Sequence, residues 1–398
     1  MKQRLFSGSL LGLSQDTRHL AASNPFTRFY LDEPVDGERL SAALEKALSD
    51  CPFMRCSVVP EEGIFLAAEE NNAPLPLQTK EPTVINSPEN NGHSCAVYYH
   101  DNMIGVMVTH ALTDGCGFYY FARTLLDRYF GVAEGVYKGA SAPDYAKDLL
   151  ETELPVSPDY QPVSMPEGPF FTIPNPKTPD FSDTFLLQTT HAGFHALCKE
   201  LNGSAQNVLT ALCLMALSEC YPKNRARITA RLPINARILM EIPNTFQNAS
   251  LANMRVTFSP DEISDPKVLA EAIAAQCKEQ NTKDAVCYQC NQWRGVLMAE
   301  NREERMKRIV PLLGQDAVLI SNLGRGVISD SYAEHITAML PGAMMFPLMV
   351  YGVTFGERMG FSGYDAAGDG RYKKALKAVL ERMGLTIEEC DPATGKAV

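Results

Sequence analysis

Several things are scarce in this chain. No run approaches the ~18 uninterrupted apolar residues that cross a bilayer. The longest candidate, VLTALCLMAL at 208–217, is short enough to be a buried helix instead. Positive charge is in deficit, with 36 Lys and Arg against 47 Asp and Glu and a formal net charge of -11. Nucleic-acid backbones and anionic membrane surfaces demand a basic face, so neither is expected as a partner. No secretory leader is expected either, because Ser, Gly, Gln and Asp interrupt the leucines of MKQRLFSGSLLGLSQDTRHL, which reads as mature protein. The 11 cysteines are odd in number and follow no framework spacing. That excludes a disulfide scaffold and points to a reducing, cytoplasmic setting. Their one close pair, Cys287 and Cys290, has no second pair to complete a zinc site, so two ordinary helix thiols are expected. No GxSxG nucleophile elbow occurs either.

What is present suffices for a full core. Hydrophobic residues make up 45% and charged residues 21% of 398 positions, a length that suits two or three domains or one duplicated unit. FTRFYLDEPV alternates as a strand, and Leu40, Leu44 and Leu48 then recur at i, i+4 and i+8 of a helix that Pro52 closes. SCAVYYH and MIGVMVTH are expected to form a hairpin across Asp101 and Asn102, followed by a helix over GFYYFARTLLDRYF. Eight prolines between 155 and 179 rule out a helix or central strand there and mark an extended crossover. Downstream come the strand DTFLLQT, helices at 191–201 and 206–220 and the strand ARITARLPI. Two helical stretches at 266–310, the short strand DAVLISNLG, strands at 334–342 and 347–364 and a last helix complete the order. The expected organisation is one half at 1–154, the crossover at 155–182 and a second half at 183–398, each an α/β sandwich.

His110 ends the apolar run MIGVMVTH, and Asp114-Gly115 follows four residues later. Two readings stand on the residues alone. A buried imidazole needs hydrogen-bond partners, so His110 could be a satisfied core residue before an ordinary Asp-Gly turn. Alternatively it is a general base, since an imidazole of ordinary pKa ~6.5 accepts a proton near neutrality. Asp114 would then cap the helix that follows, with Gly115 easing the turn. Two ligands at loop spacing make a poor metal site.

The segment THALTDG resembles the HxxxDG motif of the chloramphenicol-acetyltransferase-like acyltransferases, a group that includes condensation domains, alcohol acetyltransferases and wax-ester synthases. LSAALEKALSDCPFMRCSVV is similar to the helix and strand that open these domains. ELNGSAQNVLTALCLMAL is similar to the helices that begin their second half. RLPINARILMEIPNTFQNAS resembles the strand facing the motif, and DAVLISNLGRG resembles their SNLG strand. The likeness runs in order along nearly the whole chain.

It implies two α/β halves forming a V with the active site at their interface. It implies His110 as the base that takes a proton from an alcohol or amine as it attacks a thioester carbonyl, with no acyl-enzyme. By the same resemblance Asp114 pairs with an arginine and holds the loop, with Arg237 the first candidate and Arg231 the second. Ser321 and Asn322 are the candidate donors to the oxyanion, and backbone N–H groups at Gly115 and Gly117 could also approach it. The donor would be acyl-CoA as co-substrate, with no permanently bound cofactor and no metal.

Two rivals remain open at this stage: a condensation-type enzyme drawing on a carrier protein's phosphopantetheine, and a non-catalytic binding relative. Thr109 stands where condensation domains carry a further histidine, and the DFGWG of plant relatives is absent. Both departures favour a free-standing, alcohol-acetyltransferase-like enzyme. Of lesser features, His191 and His195 share a helix face without a third ligand. Lys223, Arg225 and Arg227 form the nearest approach to a phosphate patch. AMLPGAMMFPLM at 338–349 is expected to line core or acyl tunnel.

Overall fold

A computed structural model describes residues 2–5, 24–61, 65–79, 84–132, 151–177, 180–242, 252–343 and 346–398. In chain order the first part holds β1 (Lys2–Leu5), β2 (Phe26–Leu31), α1 (Gly37–Asp50), β3 (Cys56–Pro60), β4 (Leu66–Glu70), β5 (Leu77–Gln78), β6 (Cys95–His100), β7 (Met103–Val108) and α2 (Gly115–Tyr129). After the crossover come β8 (Thr184–Thr190), α3 (His191–Glu200), α4 (Ala205–Cys220), β9 (Ile228–Pro233), α5 (Ala236–Leu239) and β10 (Asn253–Phe258). The chain then continues through α6 (Pro266–Gln280), α7 (Lys283–Leu297), α8 (Arg302–Leu313), β11 (Val318–Gly324) and β12 (Ile336–Gly342). It ends with β13 (Leu348–Phe355), β14 (Arg358–Asp365), α9 (Arg371–Arg382) and β15 (Glu388–Cys390).

The first core forms because α1 buries Leu40, Ala43, Leu44, Ala47 and Leu48, one stripe at helical spacing. α2 packs beside it through Phe118, Phe121, Ala122, Leu125 and Leu126. Both cover one face of a five-stranded sheet ordered β12-β2-β7-β6-β5, onto which Ile104, Val106 and Val108 point by strand alternation. The second core is a seven-stranded sheet, β10-β9-β11-β13-β14-β8-β15, backed by α4. Every residue of α4 from Val208 to Leu217 is buried, as a helix apolar all round must be. At roughly 1.5–3 kcal/mol for each large apolar side chain removed from water, this helix anchors the second half.

The halves are not separate in sheet terms. β12 comes from the C-terminal part of the chain, yet it pairs antiparallel with β2 at the edge of the first sheet. α2 is tied across as well. Tyr332 donates its hydroxyl to the buried Asp127 at 2.9 Å, and Arg123 donates to the Gly326 carbonyl at 3.0 Å. Apart from a bridge of Phe170 to Arg227 and a 3-10 turn at Phe181–Asp183, the described part of the proline-rich crossover has no regular structure, and just before it Asn291 of α7 brackets the backbone of Leu154 on both its N–H and its C=O.

Three helices, not two, occupy 266–313. The breaks fall where Thr282 and Asn301 cap new helices by accepting from Ala285 N and Glu304 N. Cys287 and Cys290 are free and buried on α7, one turn apart. In the methionine-rich stretch Met339 and Met349 are buried, whereas Met344 and Met345 lie outside the described residues. So does 243–251, the end of the segment likened to the strand facing the motif.

Candidate active site

β7 is buried along its whole length and runs out at Val108, so the next residues leave the sheet with their backbone groups in need of partners. Thr109 N donates to Ser94 O and Leu112 N to Thr109 O, which turns the chain tightly. This turn fixes the imidazole. His110 Nδ1 lies 3.0 Å from the carbonyl oxygen of Thr113. A carbonyl can only accept, so Nδ1 carries the hydrogen and Nε2 holds the lone pair. Burial holds the His110 pKa below the ordinary imidazole value, against smaller upward contributions from backbone hydrogen bonds and the Asp114 carboxylate. The ring is therefore neutral at pH 7 and keeps part of its surface open. Nothing in the sequence marks Thr113 for this part, because its backbone does the work and backbone carbonyls carry no side-chain signature.

Asp114 does two jobs at once. Its Oδ1 accepts from Gly117 N at 3.0 Å and caps α2. Its Oδ2 accepts from Arg237 Nη1 at 2.6 Å, with the Arg237 side chain only 2% exposed. Arg237 sits on α5, directly after β9, so this ion pair joins the motif loop to the second half. Arg231 is engaged elsewhere. It reaches Asp316 through Nε at 2.6 Å, and Arg255 Nε meets the same carboxylate at 3.0 Å.

Gly115 opens α2, and a Cβ added there would meet no atom within 4 Å. Space thus lies directly beside the helix N-terminus. Gly115→Ala is expected to hold or raise stability, by about 0.4–1 kcal/mol at a compatible helical position, yet to lower turnover if substrate fills that space. Thermal melts and steady-state rates on the same preparation check both halves of the statement. The neighbouring Cys116 is no rival nucleophile. Burial, then the Asp114 charge, pushes its thiol up to about 11, so almost no thiolate exists at neutral pH.

Ser321 and Asn322 are adjacent in sequence and opposite in direction. On β11, Val318 and Ile320 join the core under α4, whereas Leu323 packs against the first core. Alternation puts Asn322 on the α4 side, where its Oδ1 accepts from Gly324 N at 3.1 Å and its backbone N–H donates to Gln206 on α4. Ser321 falls on the other face with Leu319 and Leu323. Leu323 shares its cluster with Leu112, which lies between His110 and Asp114. The structure therefore brings Asp114 and Arg237 together and separates the faces of Ser321 and Asn322.

The remaining polar clusters gather other side chains. His191 and His195 stack on α3 at 5.9 Å and line a cavity of about 510 Å³ with Lys199, Ser204 and Thr354. Arg225 spends its guanidinium on the carbonyls of Pro222 and Asn224. Among the described residues no three His, Cys, Asp or Glu side chains gather as metal ligands, and no helix is long and apolar enough to cross a membrane.

No protein-family model matches the chain, and no curated protein matches its sequence. Solved structures do match in fold. Polyketide synthase associated protein 5 from Mycobacterium tuberculosis superposes with a TM-score of 0.63 at 11% identity, over 95% of this chain and 96% of that one. F. sporotrichioides TRI101, complexed with coenzyme A and T-2, gives 0.62 at 11% identity over 98% and 99%. A condensation domain of the enacyloxin polyketide synthase, described in chain release, gives 0.55 at 12% identity over 96% and 82%. Along its whole length, then, the chain has the two-lobed α/β fold of chloramphenicol-acetyltransferase-like proteins and condensation domains.

Proposed function

We propose that this protein is an acyltransferase that moves an acyl group from a thioester donor, acyl-CoA, to an alcohol or amine, with His110 as general base. One observation carries the reading: the Thr113 carbonyl holds the proton on Nδ1, which leaves the Nε2 lone pair for chemistry on a ring that keeps part of its surface open. A hydroxyl is a weak nucleophile until its proton is removed, and a positioned base contributes typically 10²–10⁴-fold. Nε2 takes that proton as the acceptor oxygen or nitrogen attacks the thioester carbon. The tetrahedral intermediate then expels the thiolate, which recovers the proton from the imidazolium. Asp114 takes no part in the transfer. Through Gly117 N and Arg237 it holds the turn that aims the ring. Ser321, on the face turned toward the first half, is the side-chain donor for the oxyanion, and Asn322 is spent on the opposite face.

The donor is free acyl-CoA in this reading. The neighbours complexed with coenzyme A support it, as does a chain without a dense basic run for docking an acidic carrier. Steady-state assays with acyl-CoA and with the same acyl group on a holo carrier protein decide the matter. Turnover with acyl-CoA at ordinary salt is expected. Turnover from the carrier alone, falling steeply with ionic strength, would establish the condensation-type alternative instead.

The pH dependence follows from the base. Only the neutral imidazole works, and burial lowers its pKa. The acid limb of kcat/KM is therefore expected below pH ~6.5, with a flat profile through neutrality. An acid limb at or above that value would contradict a buried His110 base.

A further inference from the structure

β11 and β13 run parallel, with Ser321 directly opposite Tyr351. Along β13, Leu348 and Val350 join the core under α4, and a Cβ on Gly352 would meet Leu209 of that helix. Met349, Tyr351 and Val353 therefore point the other way, onto the face that Ser321 shares. Val353 and Phe355 complete the switch by packing into the first core. Tyr351 leans on a small apolar cluster of Leu319, Ala343 and Met349, with Phe346 beside it. Its ring is half-buried, and among the described residues nothing hydrogen-bonds its hydroxyl. A half-buried phenol with a free O–H is an unspent donor.

The opposite wall belongs to α2. Tyr119 lies one turn beyond Gly115, and its hydroxyl is 2.7 Å from Thr27 Oγ1. Thr27 is paired with Val106, near the end of β7 from which the His110 turn departs. Burial pushes the Tyr351 phenol up from its ordinary pKa, and the neighbouring Tyr119 adds a smaller upward contribution. Tyr351 therefore keeps its proton at neutral pH and faces α2, the helix that follows the His110 turn. It cannot serve as a base. A donor hydrogen-bonded to the attacking hydroxyl would only blunt the nucleophile, so the group it suits is the oxygen that gains charge.

We propose that Tyr351 donates its phenolic hydrogen to the thioester carbonyl oxygen as that oxygen becomes the oxyanion, alongside Ser321 on the same sheet face. This rests on the acyltransferase reading and adds to it a catalytic residue that carries no sequence motif. In the step, the acceptor's proton goes to His110 Nε2 and the new bond forms at the carbonyl carbon. The C=O π pair moves onto the oxygen held by Tyr351, and its return expels the thiolate. Tyr351 keeps its own proton throughout.

Tyr351→Phe removes only the hydroxyl and leaves the ring against Leu319 and Met349. One lost oxyanion donor costs ~10²–10³-fold in kcat. Here kcat is expected to fall by about that much with KM nearly unchanged, because the contact strengthens only in the transition state. The acid limb of kcat/KM should stay where wild type has it, since His110 still titrates as before, and the melting temperature should be unchanged. A loss confined to KM, a shifted acid limb, or kcat within about twofold of wild type, set against that donor magnitude, would overturn the assignment. His110→Ala run in parallel separates the two claims. If His110→Ala is dead while Tyr351→Phe matches wild type, the Tyr351 role alone falls. If wild-type protein transfers no acyl group from any donor, the acyltransferase reading falls and takes this one with it.

Discussion

His110→Ala is expected to lower kcat/KM by ~10²–10⁴-fold, the contribution of a positioned general base, while the fold stays intact. The stability side follows from how little the imidazole holds in place. Among the described residues its one side-chain hydrogen bond goes to Thr113 O, worth about 0.5–1.5 kcal/mol net. The apolar anchoring of the turn comes from Ala111 and Leu112. Thermal melts paired with steady-state kinetics separate the two effects. Activity within about tenfold of wild type, below the range for a base, would remove His110 from the chemistry. A large drop in melting temperature would make it a core residue, the other reading the residues allow.

Asp114→Ala should behave in the opposite way, with stability as the leading loss. Arg237 is almost wholly buried, and removing Asp114 takes away the carboxylate that its guanidinium meets at 2.6 Å. Breaking a buried pair from one side costs on the order of 3–5 kcal/mol, and losing a helix cap adds about 1 kcal/mol. Activity falls as a consequence, because the turn that aims His110 loosens. Asp114→Asn divides the two contributions, since its amide oxygen can still accept from Gly117 N while the charge opposite Arg237 is gone. Denaturant unfolding of both variants should show the asparagine variant between wild type and alanine. Equal stability of all three would mean that the Asp114–Arg237 pair contributes nothing.

The halves of this fold were legible in the sequence to different depths. Local elements were plain: the Leu40, Leu44 and Leu48 stripe, the hairpin into MIGVMV and the all-apolar helix at 208–217 follow from periodicity alone. Strand partnership was not. ITAMLPG reads as a strand, but nothing local says that it leaves its own half to pair with β2, because pairing is settled by tertiary packing. The third helix in 266–313 was there to be read, since Thr282 and Asn301 are good caps, yet two amphipathic patterns in succession blur into one.

The site divides in the same way. The histidine and aspartate stand four apart and announce themselves. The pair between Asp114 and Arg237 spans 123 residues and was suggested only by family resemblance. Ser321 and Asn322 look equivalent as neighbours, although a strand's two-residue period already sends them to opposite faces. Thr113 acts through its carbonyl and Tyr351 through a register no motif encodes, so both needed coordinates.

The central claim is direct acyl transfer with His110 as base. It is tested most directly by incubating wild type and His110→Ala with acyl-CoAs, with and without alcohol and amine acceptors. Free thiol, product and intact protein are then followed by mass. Wild type should release thiol only when an acceptor is present, form the ester or amide in equal amount and never gain the mass of an acyl group, while the variant does none of this. Thiol release without acceptor together with an acylated protein, or no product from any donor and acceptor, would contradict it.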